Sequence, residues 1–394
     1  MSEREEALLG LAEAIADLHH PVKVEASEWA RERLSRHDLV EADRNSVFAI
    51  DDWRRCAERG WLGLFVPTEL GGSGADLATS LLTLEGIGHG TRDGGLVYAL
   101  GSQLLSTQVA LVRFGSREQQ RRRLPGLLDG STFGAFAITE ADGGSDAFAM
   151  SATATRTADG TYRINGHKSL ITFGPVCDFC IVFASTRPDA GSWGVTAFIV
   201  DADADGVRRG PLREKMGMRT TPFGDLFFDD VEVGEDAVLG REGAGARIFG
   251  SVIDVERSYV FAPQVGAMER QLDETIMFAT SRTSGGRPIG DYQAVSHRIV
   301  SMKERHERAR LFLYRAALAE ATGQPTALTA SLAKIVGCDT GIESALDASL
   351  IHGARGYVSE FEVERTIRDS LAGLTFSGST DVLRNVVARL LGVG

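Results

Sequence analysis

The segment FAITEADGGSD, Phe136 to Asp146, brings two hydroxyls, Thr139 and Ser145, beside the paired glycines Gly143 and Gly144. A loop of this composition can turn backbone N–H groups and hydroxyls toward a ring carbonyl or a pyrophosphate; it can equally be a polar surface turn. Other familiar chemistries lack their spacing. Gly86, Gly88 and Gly90 in EGIGHGT do not match G-x-G-x-x-G and follow no strand pattern, so nicotinamide binding of the usual kind has no support, and a P-loop is absent. The histidines are dispersed, and neither His19-His20 nor His297 with His306 has carboxylate or thiol partners at metal-ligand spacing, so no metal site is expected. Cys177 and Cys180 stand in C-x-x-C, but within the strand-like run VCDFCIVFAS, where i and i+3 point to opposite faces; buried structural thiols are the better reading.

The elements that must position such a loop follow from periodicity. From Glu5 to about Leu128 apolar residues recur at helical spacing in LLGLAEAIADL, DDWRRCAERGWLGL and SLLTLEGIG, interrupted by the glycine-rich VPTELGGSGAD. Between Gly134 and Gly240 the period becomes two. SATATRT, TYRI and HKSLITF are separated by Asp159-Gly160 and Asn165-Gly166, dipeptides that favour hairpin turns, and CIVFAST, GVTAFIVDA and DLFFDDVEV complete an antiparallel barrel or sandwich. Amphipathic stretches over 247–281, 292–322, 325–351 and 360–391 then predict a C-terminal four-helix bundle, with Gly323 and Gly353 as helix stops. The expected fold is therefore α+β and multidomain: an N-terminal α-helical domain over 1–130, a middle β domain over 131–238 and the bundle over 239–394, with no alternating βαβ units.

Composition bounds the partners. A net charge of -12 argues against non-specific binding to nucleic acid, although a local basic patch could still hold an anionic coenzyme. The first residues carry Glu3, Glu5 and Glu6 rather than a basic leader, and the sequence shows no uninterrupted apolar run long enough to span a bilayer; a cytoplasmic protein without a membrane partner is expected.

FAITEADGGSD resembles the A-x-T-E-x-x-x-G-S-D signature of the acyl-CoA dehydrogenase family. VPTELGGSGAD, INGHKSLIT, FFDDVEVGEDAVLGREGAG, DVERSYVFAPQVG, SRTSGGRPIGDYQA, HGARGYVSEFEVERTIRD and FSGSTDVLRNVVARLL follow in that family's order over nearly the whole chain. The resemblance implies an FAD-dependent α,β-dehydrogenation of an acyl thioester on CoA or on an acyl carrier protein. It also implies a homotetramer, a dimer of dimers, with an electron-transfer flavoprotein or oxygen as acceptor. Phe136, Ile138, Thr139 and Ser145 match the loop on the flavin ring and pyrophosphate, and Thr172 matches a hydroxyl near the ring's hydride-accepting edge. Arg282, Ser284 and Gln293 match residues that reach the FAD of a neighbouring subunit, Ser379 and Asp381 match further cofactor contacts, and Asp254 and Arg257 match the substrate side.

Four positions depart from the family pattern: Leu170 for a tryptophan, Gly285 for a phenylalanine, Leu350 for a glutamine and Ala354 for a glycine. The fifth carries the most consequence. Ser377 in FSGST stands where many members have the glutamate that takes the α proton, and a lone serine hydroxyl cannot be that base. In isovaleryl-type and long-chain members the base is a glutamate immediately before an arginine on a bundle helix, and Glu256-Arg257 occupies that place. Val252, Ile253, Tyr259 and Val260, at i−4, i−3, i+3 and i+4, make the surroundings of Glu256 apolar, and a desolvated carboxylate is a stronger base. The Ser377 backbone N–H is expected to polarise the thioester carbonyl. An ordinary helix charge remains the plain alternative for Glu256. A flavin monooxygenase on the same fold, or a scaffold that has lost FAD, are the alternatives for the whole chain.

Overall fold

Eight helices open the chain in the computed structural model, which describes residues 3–34 and 38–393. They are α1 (Glu3–Ala16), α2 (Pro21–Arg33), α3 (Leu39–Asn45), α4 (Ile50–Glu58), α5 (Leu77–Gly90), α6 (Gly94–Ser102), α7 (Val109–Phe114) and α8 (Arg117–Leu128). Met1 and Ser2, ahead of the acidic start, lie outside the described residues. Side chains set several starts: Asp38, Asp76 and Asp93 accept N–H groups of the first turn, and Ser116 with Gln119 closes a capping box. A π-helical turn, Gln103–Gln108, joins α6 to α7.

The middle of the chain is one curled sheet of β1 (Gly134–Ala137), β2 (Thr153–Arg156), β3 (Tyr162–Thr172), β4 (Phe179–Ser185), β5 (Val195–Asp201), β6 (Val207–Arg209) and β7 (Phe223–Val233). The order is β1-β4-β2-β3-β7-β6, with β5 beside β4. It is mixed rather than wholly antiparallel, because β1 and β2 both pair parallel with β4. Asp159-Gly160 does turn the chain between β2 and β3, but Asn165-Gly166 does not make a second hairpin. There β3 runs on through a bulge, Asn165 exchanges hydrogen bonds with Asp230 on β7, and a Cβ on Gly166 would fall 2.5 Å from that of Ala152. The glycine admits a close backbone crossing instead.

The bundle comprises α9 (Gly245–Tyr259), α10 (Ala262–Ser281), α11 (Gln293–Ala321), α12 (Ala327–His352), α13 (Val363–Leu371) and α14 (Thr380–Leu390). Between α10 and α11 lies a small hairpin of β8 (Thr283–Ser284) and β9 (Arg287–Pro288). The stretch 247–281 is thus two helices, broken at Val260–Phe261, with Pro263 in the first turn of α10, where its missing N–H is harmless. Gly323 and Gly353, at φ 69° and 60°, end α11 and α12.

The two helical parts share a core. The backbones of α5 and α10 cross so closely that a Cβ on Gly88 would lie 1.9 Å from the Pro263 carbonyl oxygen, and one on Gly266 would lie 1.8 Å from that of Glu85. Contrary to the sequence-based expectation, Gly94–Phe114 is long and apolar enough to cross a membrane by length and composition. In the fold this segment is mostly buried inside the protein, and its buried polar side chains have work there. Gln108 Nε2 donates to the Leu62 carbonyl at 2.8 Å, and Gln103 accepts from the Gly134 N–H at 3.3 Å.

Candidate active site

Three residues other than glycine that take up left-handed backbone conformations, Leu170, Met218 and Ser377, lie toward the junction of sheet and bundle, with φ between 47° and 61°. Such strain persists only where surrounding structure holds it, and it concentrates at functional sites. Near them a cavity of about 270 Å³ is bounded by Met216, Met218, Thr221 and Phe223 on the sheet side and by Leu371, Ala372, Thr375 and Phe376 on the bundle side. Tyr98 of α6 closes it, its ring 4.9 Å from that of Phe376. Beyond Tyr98 and Phe376 a second space of about 50 Å³ continues along Val260 and Phe261 and ends at Arg92, Arg270 and Asp369.

Glu256 lies on α9, and its side chain is half-buried, with all four of its apolar helix neighbours buried. Ser106 Oγ donates to Glu256 Oε2 at 2.5 Å, and Ser377 Oγ donates to Oε1. The first hydroxyl comes from the π turn, a local rewinding of the kind found at functional sites, and the second from the loop ahead of α14. Ser377 is 9 % exposed, and its N–H has no acceptor among the described residues. Arg257 Nε donates to the Ser377 carbonyl at 2.9 Å, so it pins the same loop that Glu256 meets, and it makes no ion pair with Glu256 among the described residues. Burial pushes the Asp254 carboxyl up, against the opposing Arg257 and Arg113 charges, and the same burial lowers Arg257. Burial, then the Glu256 charge, raises the Tyr98 phenol, while a hydrogen bond with Thr172 works the other way. Tyr98 therefore links α9 to Thr172 at the end of β3.

On the sheet side, Phe136 is half-buried at the end of β1 and Ile138 buried just beyond it, and the Thr139 carbonyl accepts from the Ser169 N–H at 2.9 Å. Lys168, fully buried, donates to the Ile138 carbonyl at 3.1 Å and to Glu140 at 2.7 Å; Glu140 accepts in turn from Ser151 and from the Ala152 N–H. Burial opposes an ionised Glu140, but Lys168 and Ser151 outweigh it and hold the carboxyl below its ordinary range. The loop 139–151 is thus tied at both ends, with Ser145 and Gly144 exposed between them and nothing within 4 Å of a Cβ built on Gly144. Leu170 is 49 % exposed and donates its N–H to Asp225. Asp225 is held well below the usual carboxylate range by Arg213.

These features suit FAD. The apolar slot could accept a flat ring, Thr172 pairs across the sheet with Phe223 on its wall, and the open Gly143-Gly144-Ser145 backbone can approach a pyrophosphate. Ser379 caps α14 two residues from Ser377, whereas Asp381 points outward to Arg384. Arg282 and Ser284 stand exposed on the β8–β9 hairpin and Gln293 on the first turn of α11, with the outer bundle rather than with Thr139. Above Ser284 the Tyr292 hydroxyl donates to its carbonyl, filling the space that a Cβ on Gly285 would enter at 2.7 Å. Cys177 and Cys180 are buried free thiols, raised by burial. Sequence reasoning missed Ser106 and Tyr98. The signal for Ser106 was the polar S-x-x-x-S-T-Q spacing inside an otherwise apolar helix, without an indication of which face it served.

Family models for acyl-CoA dehydrogenases match the chain in three parts: the N-terminal domain over 17–131, the middle domain over 135–231 and the C-terminal domain over 243–392. An L-prolyl-[peptidyl-carrier protein] dehydrogenase of Pseudomonas fluorescens is 39% identical over 349 residues, 89% of this chain and 92% of that one. Among solved structures, a prolyl acyl carrier protein oxidase superimposes with a TM-score of 0.92 at 35% identity, covering 94% of this chain and 98% of the other. An FAD complex of PigA does so with a TM-score of 0.90 at 32% identity, covering 94% and 97%.

Proposed function

The chain belongs to the acyl-CoA dehydrogenase family, and from that premise we propose that it oxidises a small cyclic aminoacyl thioester of prolyl type, carried on a peptidyl carrier protein, with Glu256 as its base. That it is an FAD-dependent oxidoreductase acting on CH–CH bonds of thioesters is common to its relatives. The carrier-bound prolyl group is supported by the names of the relatives above.

One observation carries the assignment of the base: the Glu256 carboxylate is turned inward, held by Ser106 and Ser377, beside the Tyr98–Thr172 pair. Phe136, Ile138, Thr139, Ser145, Thr172, Ser379 and Asp381 would hold FAD in one chain, with Arg282, Ser284 and Gln293 reaching it from a second copy in a homotetramer. Bound FAD supplies a hydride acceptor for the β carbon. The chain's own residues do the rest. The free Ser377 N–H, fixed by the left-handed turn and by Arg257 on its carbonyl, donates to the thioester oxygen and so stabilises charge as it develops. Glu256, aimed by the Ser106 and Ser377 hydroxyls, takes the α proton. Asp254 and Arg257 line the approach of the thioester arm. An electron-transfer flavoprotein or oxygen then takes the electrons.

The test is anaerobic mixing of the holoenzyme with prolyl-S-carrier protein. Wild type should bleach the flavin and Glu256→Gln should slow bleaching by about 10²–10⁴-fold, the range for loss of a general base. Equal rates in the two proteins would refute the assignment of the base, and flavin reduced only by an external reductase would favour oxygenation instead.

A further inference from the structure

The arginines at the N-terminal end of α9 contrast with the acidity of the rest of the chain. Arg187, Arg241 and Arg247 are all exposed, and none makes an ion pair among the described residues, although the chain has a net charge of -12. Between them stands Trp193, 78 % exposed at the end of the 3-10 segment Pro188–Gly194. A bare indole of this kind is unusual on a surface that buries its other three tryptophans wholly or in part. The backbone that carries the indole is held in place. Arg187 donates to the Trp193 carbonyl at 2.9 Å, and both groups approach Gly243 so closely that a Cβ there would lie 3.0 Å from each. Gly243 belongs to the turn in which the Ala244 N–H donates to the Arg241 carbonyl, so the loop and the start of α9 form one surface. Of the acids around it, Glu235 is engaged by Arg156, and Glu242 by Arg156 and Tyr162; Asp189 and Asp236 remain on the rim.

From this patch a track leads to Ser377, the residue that Arg257 and Glu256 both touch. Arg247, Gly250, Asp254 and Arg257 recur at intervals of three or four and so share one face of α9. Midway, a Cβ on Gly250 would meet nothing within 4 Å, so the face is open there. Eleven residues separate Gly245 from Glu256, about 16 Å at the helical rise of 1.5 Å per residue. A folded partner at the patch could therefore reach Glu256 only through a long, thin tether.

We propose that Trp193, Arg241 and Arg247, with Arg187 behind them, dock the acidic face of the carrier domain, and that its phosphopantetheine arm runs from there along the Gly250–Asp254–Arg257 face to Ser377, whose carbonyl Arg257 holds and whose hydroxyl meets Glu256. The proposal rests on the carrier-bound thioester reading and adds the surface that distinguishes a carrier domain from a free thioester. Trp supplies the desolvated centre and the arginines supply attraction that falls with salt, the division of labour seen where a few residues dominate an interface. Asp254 and Arg257 serve the arm, whereas the patch serves only the protein that bears it.

The experiment compares one acyl group on three carriers, the holo-carrier protein, pantetheine and CoA, with wild-type holoenzyme, Trp193→Ala and the double variant Arg241→Glu/Arg247→Glu. Each variant should lower kcat/KM for the carrier-bound thioester by about 10-fold or more while pantetheine thioester turnover stays within about 2-fold of wild type. The double variant should also lose most of the salt dependence of kcat/KM that wild type shows with the carrier protein. Equal losses on the carrier-bound and pantetheine thioesters would overturn the proposal, as would no loss on the carrier-bound one, or a loss confined to the CoA thioester, which would make the patch a nucleotide site. Carrier-domain binding to the same proteins, measured by titration without turnover, separates the outcomes: a wild type that binds the carrier but oxidises no thioester sinks the functional reading and leaves the surface standing.

Discussion

Removing the hydroxyls that hold Glu256 tests whether the carboxylate must be aimed as well as present. Ser106→Ala and Ser377→Ala each delete one donor to a different carboxylate oxygen and change little else, since neither side chain has another hydrogen-bond partner among the described residues. A hydrogen bond to a charged group contributes about 1.5–3 kcal/mol. Glu256 is only half-buried, so water can replace part of each bond and the lower end applies, about 1.5 kcal/mol, or roughly tenfold in rate. Each single variant should therefore slow the anaerobic single-turnover bleaching of the flavin by about tenfold, with FAD content and substrate KM near wild type. The double variant should lose less than the product of the two, because both hydroxyls hold the same carboxylate and either one restrains its rotation. Wild-type rates in both single variants would refute the clamp, and a loss that appears only in KM or in FAD retention would move these serines from the base to binding.

Two further outcomes follow from buried charges elsewhere. Lys168→Met leaves Glu140 buried without its cation, and breaking such a pair typically costs 3–5 kcal/mol, so the variant should melt at lower temperature and release FAD faster as the loop 139–151 loosens; unchanged FAD dissociation would show that this anchor does not serve the cofactor. His306, fully buried on α11 with no hydrogen bond to either ring nitrogen among the described residues and Glu269 of α10 3.8 Å from its Nε2, is pushed down to about 4 by burial, with Glu269 opposing and Lys303, Lys23 and Arg310 adding to the shift. Its folded pKa lies below the unfolded value near 6.5, so the unfolded chain takes the proton first. Stability is full above about pH 6.5 and falls as the pH drops toward 4, by about 3 kcal/mol for this group. Urea midpoints for wild type and His306→Leu should converge or cross over that window, and parallel curves would exclude His306 as a source of acid sensitivity.

The local patterns were legible because they depend on neighbours in the chain. Helical spacing located the two helical parts, period two located the sheet, and Gly323 and Gly353 ended helices where only a left-handed residue fits. Glu256 could be singled out because its i±3 and i±4 neighbours are apolar, and that alone places a carboxylate in partly desolvated surroundings. Asn165-Gly166 misled for the same reason. The dipeptide suits a tight turn, yet the glycine was needed for close approach to Ala152, a contact between segments that no local pattern records.

What the tertiary structure alone decided is the company that Glu256 keeps. Ser106 lies 150 residues from it in sequence and Ser377 lies 121, and their hydroxyls converge only because a π turn rotates one helix and a left-handed turn re-aims the terminal loop. Hydrogen bonds need direction to within tens of degrees, and a change of one residue in helical phase turns a side chain by about 100°. Composition and spacing therefore fixed which chemistry the chain could carry, while packing between distant segments determined where the carboxylate points.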